Sequence, residues 1–155
     1  MSDDVVLKND KLNDFIKAMK KPPTARVGIL GSKNVRSGKS KSNATIGAAH
    51  EFGTKDMPQR SFLRIPISEN LNKYLEASGA FNKALLAQVM KEKSFVPWMK
   101  KVAAVAEKIV LEAFDSSGFG KWPQLKPQTM AKKTNQQILV ETGQLRNSIT
   151  SEVKE

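Results

Sequence analysis

Apolar residues recur at helical spacing in several stretches of this chain and thin out sharply between them. In residues 10–21, DKLNDFIKAMKK, Leu12, Phe15, Ile16 and Met19 fall at i, i+3, i+4 and i+7, one face of a short amphipathic helix. Asp10 is placed to cap it, and Pro22-Pro23 stops it. TARVGILG, 24–31, alternates with Val27 and Ile29 on one side and reads as a strand. Residues 32–43, SKNVRSGKSKSN, offer almost nothing to bury and predict a mobile loop or arm. ATIGAAHEFG, 44–53, predicts a short helix ending at Gly53.

RSFLRIPI, 60–67, is apolar enough for a strand or extended segment interrupted by Pro66. From Ser68 to about Met90 the pattern is helical, carried by Leu71, Tyr74, Leu75, Phe81, Leu85 and Val89, with a break at Gly79. The strongest helix is 95–114, where Trp98, Val102, Val105, Ile109 and Ala113 form a stripe. Ser94 can cap it, and Pro97 is tolerated in a first turn. DSSGFGKWPQLKPQ, 115–128, is a Gly/Pro-rich loop, followed by one helical turn over 129–133. Thr142 can cap a short turn, and 145–153 predicts a final strand. These elements imply one α+β domain over 1–155. A small, mostly antiparallel sheet packs against two or three helices, with 32–43 as a long flexible basic loop.

The length fits one core rather than two domains. The absence of cysteine excludes a disulfide scaffold and thiolate metal sites. The start, MSDDVVLKND, is acidic and polar, unlike a signal peptide, and no apolar run has membrane-spanning length. The expectation is a soluble product of the cytoplasm with no membrane partner. A net charge of +11 then changes the picture, because it calls for an anionic neighbour. The 32–43 loop concentrates that charge: Lys33, Arg36, Lys39 and Lys41 have no acid among them and are the candidate anion- or DNA-facing residues. Phosphate attraction of this kind is blind to sequence.

Chemistry-bearing motifs fare poorly on spacing. GSKNVRSGKS ends in Gly38-Lys39-Ser40, but a phosphate-binding loop needs its first glycine where Lys33 stands, and Gly31 lies two residues too early. His50 and Glu51 are adjacent, so on a helix they diverge by about 100° and do not converge on a metal or a proton. His50 is the sole histidine, which leaves too few ligands for zinc, and no nucleophile elbow accompanies it. It reads as a structural histidine with its hydrogen bonds satisfied. Phe119 and Trp122 read as anchors pinning a glycine-rich connection to the core rather than as a base-stacking platform. No catalytic, cofactor or metal site is predicted, and the chain is not expected to be an enzyme.

Two blocks carry a resemblance. IGAAHEFGTKDMPQRSFLRIP, 46–66, resembles the Glu-Phe-Gly…Pro-x-Arg-x-Phe-Leu block of tailed-phage neck and tail-completion proteins, matching at Glu51, Phe52, Gly53, Pro58, Arg60, Phe62 and Leu63. WPQLKPQTMAKK with ILVETGQLRNSI resembles the second block, matching at Trp122, Pro123, Leu125, Thr129, Lys132, Lys133, Leu139, Thr142, Gly143, Leu145, Ser148 and Ile149. With the strand before them, the blocks cover about half the chain in that family's order. The basic 32–43 connection is longer than a minimal one, and the chain stops soon after the final strand.

The resemblance implies a non-enzymatic virion protein, made and assembled in the host cytoplasm. It implies a subunit of a ring, usually six-fold, at the neck or top of the tail tube. Its partners would be other copies of itself, the tail-tube and neck or head-completion proteins, and, non-specifically, the DNA in the channel. Within it, Gly53 would end a helix, Pro58 stiffen the exit, and Phe62 and Leu63 anchor the next segment. Arg60 would fork to a carboxylate, buried or across an interface. Thr142 and Gly143 would shape the last turn, with Leu145 following. The alternative is a non-specific DNA-binding protein that uses the 32–43 arm.

Overall fold

The computed structural model describes residues 10–36 and 41–155. The elements in chain order are α1 (Asp10–Lys20), β1 (Thr24–Ile29), a 3-10 turn (Gly31–Asn34), α2 (Asn43–Phe52), α3 (Arg64–Ala77), α4 (Lys83–Glu92), α5 (Val96–Asp115), α6 (Pro127–Met130), α7 (Gln144–Asn147) and β2 (Ile149–Lys154). The class is α+β, as the pattern predicts: seven helices and a two-stranded antiparallel sheet among the described residues. β1 and β2 pair from Thr24 opposite Lys154 to Ile29 opposite Ile149.

α5 is the axis of the fold. It packs against α3, α4 and both strands. Its buried residues are Ala103, Val105, Ala106, Ile109, Val110, Ala113 and Phe114. The predicted stripe captured one side of this face. The second side, through Ala103, Ala106, Val110 and Phe114, is buried because α5 has neighbours on two flanks. One cluster joins Phe62, Val110, Phe114, Trp122, Ile138, Leu145 and Ile149, and a smaller one joins Leu75, Ala80, Val105 and Ile109. Phe114 centres the first, 5.0 Å from the Phe62 ring and 6.0 Å, edge-on, from Trp122.

Several expectations are corrected. Residues 60–67 are not a strand, because α3 begins at Arg64. Pro66 is only its third residue, where a backbone N–H has no acceptor within the helix, so the missing donor costs nothing. The final strand begins at Ile149 rather than Leu145. Gly143, at φ 74°, lets α7 form first, closed by Asn147 N–H donating to the Gly143 carbonyl at 2.8 Å. No side chain caps α7, so Thr142 does not play that role.

The basic loop is partly built rather than free. Asn43 is buried, donates to the Lys33 and Val35 carbonyls and accepts from Arg36 Nη1. Finally, α1 forms, but Leu12, Ile16 and Met19 stay exposed while only Phe15 stacks, 5.1 Å from Phe95. The cap expected at Asp10 lies at the edge of the described residues, where α1 is first seen.

Candidate functional site: a groove between two motif blocks

Residues 50–64 close two helices with one loop. α2 starts at the Ser42 cap and ends at Gly53, whose φ of 75° and ψ of 173° suit glycine alone. A tight turn follows, with Thr54 and Met57 exchanging backbone hydrogen bonds. The chain then returns along the end of α2. Arg60 N–H donates to the His50 carbonyl at 2.8 Å, and Gln59 Nε2 donates to the Glu51 carbonyl at 2.9 Å. Carbonyls left open at the end of α2 are thereby satisfied.

Glu51 serves the other helix. Its carboxylate is buried and accepts from Ser61 Oγ (2.6 Å), Phe62 N (3.0 Å), Leu63 N (3.0 Å) and Arg64 N (3.1 Å). Ser61 Oγ in turn accepts from Ile65 N. A negative group thus sits on the positive end of α3, where free N–H groups and the helix dipole both favour it. From the sequence, Glu51 is a motif member set aside as a partner for His50, with no capping role. Its task is invisible to a local capping pattern, because the capped N–H groups lie 11 to 13 residues away.

Arg60 is buried, one of the two placements expected, but its partner is not a carboxylate. Nε donates to the Pro123 carbonyl at 2.9 Å and Nη2 to the Gln124 carbonyl at 3.1 Å. Burial pulls its pKa down. The fork ties the first motif block to the start of the second, within one chain. Trp122 makes a parallel tie: its ring is buried, and Nε1 donates to the Ser61 carbonyl at 2.8 Å. The anchor reading of Trp122 holds. Phe119 is half-buried, edge-on to Tyr74 at 6.5 Å. Phe62 is a core residue, as expected, and Leu145, expected only as a motif residue opening the last strand, is buried in the same cluster. Phe52 is exposed, with the Arg64 guanidinium 5.3 Å above its ring.

Between the blocks lies a groove of about 510 Å³. From the first block it is lined by His50, Met57, Pro58 and Arg60, and from the second by Leu125, Thr129, Lys133, Thr142, Gly143 and Leu145. Lys133 closes one side by donating to the Val140 carbonyl at 2.9 Å and to Glu141 at 2.8 Å. Glu51, Phe52 and Gly53 do not line the groove, although they stand in the same motif. Of the four candidate anion-facing residues, Arg36 lines it, Lys33 and Lys41 are exposed elsewhere on the loop, and Lys39 lies outside the described residues.

His50 departs from its expectation. Its Nδ1 is buried without a hydrogen-bond partner. Burial, and then the charges of Arg60 and Arg36, hold its pKa below the usual 6.5, so the ring is neutral at pH 7. Among the described residues, no three His, Asp or Glu side chains gather as metal ligands. None of their helices is long and apolar enough to cross a membrane. No family model, curated protein or solved structure matches the chain.

Proposed function

We propose that this protein is a structural component of a tailed-phage virion, acting in tail completion or head–tail joining as a ring subunit at the neck or the top of the tail tube. One observation supports the reading. The two blocks that resemble the tail-completion family, far apart in sequence, are locked to each other by Arg60 and Trp122. The motif side chains are engaged in capping, tying and packing rather than aimed at a common reaction centre. That is the use expected of a protein whose task is to hold a shape and present a surface. A ring then needs a heterologous contact that closes on itself.

The DNA-binding alternative draws less support, since Arg36 lines the groove between the motif blocks, whose walls are in good part apolar. Mass spectrometry of purified particles, with deletion of the gene, tests the proposal. The protein should be found in the virion, and its loss should leave intact heads and tails that fail to join. Absence from the particle refutes it. Submicromolar duplex binding in physiological salt, lost when Lys33, Arg36, Lys39 and Lys41 become alanine, would instead favour the DNA reading.

A further inference from the structure

Among the described residues, two buried side-chain nitrogens lack any hydrogen-bond partner: Arg36 Nε and His50 Nδ1. Both belong to residues lining the groove between the motif blocks. A buried polar nitrogen left without a partner costs about 1–3 kcal/mol, so two such atoms on residues that line one groove call for an explanation. The surrounding charge gives a direction. The titratable groups lining the groove around His50 are Arg36, Asp56, Arg60, Lys126, Lys133 and Glu141. Lys133 already holds Glu141, and Asp56 bonds neither orphan nitrogen. What remains is cationic.

We propose that this groove binds an acidic peptide segment of a partner protein, one carboxylate meeting Arg36 and His50 while an apolar neighbour packs against Met57 and Leu125. The proposal deepens the virion reading by giving the docking partner a chemistry, and it rests on that reading only for the identity of the partner. Arg36 is set up for such a contact. Its Nη1 donates to Asn43 at 3.2 Å while its Nε has no partner, so the guanidinium, a group that suits a carboxylate, is only partly engaged. Neither orphan nitrogen is open to solvent, so engagement requires a side-chain rotation of Arg36, which is only half-buried.

The occupant's class follows from the lining. Ile46, Met57, Leu125 and Leu139 make much of it apolar. A sugar–phosphate backbone gains nothing from such a surface, whereas a peptide with acidic and apolar side chains uses both parts. The volume falls in the range of sites that hold a few side chains.

The proposal carries a proton signature. A carboxylate beside His50 offsets the Arg36 and Arg60 charges that now disfavour the imidazolium. Binding therefore raises the pKa of His50, and by linkage affinity rises as pH falls. Each unit of that rise is worth up to about tenfold in affinity.

NMR of the full chain tests this, because His50 is the only histidine and its ring signals need no assignment. The probes are a blocked hexapeptide of alternating glutamate and leucine, the same peptide with glutamine, inorganic phosphate and a short DNA duplex. The glutamate peptide should move the His50 ring signals and raise its pKa, and the glutamine peptide should do neither. Arg36→Gln should weaken binding about tenfold. Lys126→Gln, at an exposed position, should weaken it a few-fold in a chain whose far-ultraviolet dichroism is unchanged. No movement of the His50 signals at millimolar glutamate peptide overturns the proposal. So does an equal response to phosphate alone, or a stronger one to the duplex. Particle mass spectrometry can fail while this binding holds, and the reverse, so the two readings fall separately.

Discussion

Replacing Glu51 with glutamine keeps the shape of the side chain and changes only what its end can accept. In the native fold Oε1 takes Ser61 Oγ and Arg64 N, and Oε2 takes Phe62 N and Leu63 N. Glutamine retains one oxygen. Whichever way the amide turns, its NH2 group confronts backbone donors, Phe62 N and Leu63 N on one side or Arg64 N beside the Ser61 hydroxyl on the other, in a place where the carboxylate is almost wholly sealed from water. Each orphaned donor costs about 1–3 kcal/mol. Loss of the negative charge at the start of α3 adds about 1 kcal/mol. The expected destabilisation is about 3–5 kcal/mol, a fall in Tm of about 10 °C for a chain of this size.

Urea unfolding followed by far-ultraviolet dichroism measures it. Ser61→Ala should cost about 1–2 kcal/mol alone and much less on top of Glu51→Gln, because both remove one shared bond. A Glu51→Gln protein within about 1 kcal/mol of the parent would refute the view that this carboxylate holds α3 in place.

Arg60→Lys keeps the charge but cannot fork to the Pro123 and Gln124 carbonyls; a loss of about 1.5–3 kcal/mol by the same unfolding assay is expected, and no loss would dissolve the link between the motif blocks. Gly53→Ala should cost about 2–3 kcal/mol, since a Cβ there would stand 2.9 Å from the Gln59 backbone nitrogen at a φ of 75°. His50 gives a pH dependence of known sign. Its folded pKa lies below 6.5, so the unfolded chain takes up the proton first. The associated stability is complete above about pH 6.5 and is lost as pH falls through the folded value. Urea midpoints taken across that window should drop in the parent and stay level in His50→Gln, and a parallel drop in both would assign the effect elsewhere.

The sequence reveals elements well where apolar spacing and punctuation agree. α2 ends at the glycine that its pattern names, and α5 follows its stripe. It misleads where a tertiary partner supplies what the local chain lacks. Arg64–Ala77 starts with an apolar run and a proline, which looks extended until Glu51 arrives from α2 to cap it. Leu145 alternates like a strand residue but turns inward on α7 because Gly143 reverses the chain. The motif spacing of Glu51, Gly53, Arg60 and Trp122 marks the right residues. What each one bonds is a matter of long-range geometry: Arg60 meets two carbonyls more than sixty positions away, which no window on the sequence contains. The groove itself is invisible for the same reason, since its two walls come from the two blocks.

The antiparallel pairing that sets position 29 beside position 149 has a kinetic meaning. Nearly all of the helical chain lies between the strands, so the ribbon closes the largest loop in the molecule and gains nothing until that loop has collapsed. It therefore forms late, over an α5 surface already assembled by α3 and α4. Contacts made after the rate-limiting step act mainly on the unfolding rate. Weakening Ile29 or Ile149 should shorten the lifetime of the native state while leaving its rate of formation almost unchanged. The ribbon is in that sense a latch, governing how long the fold persists once made.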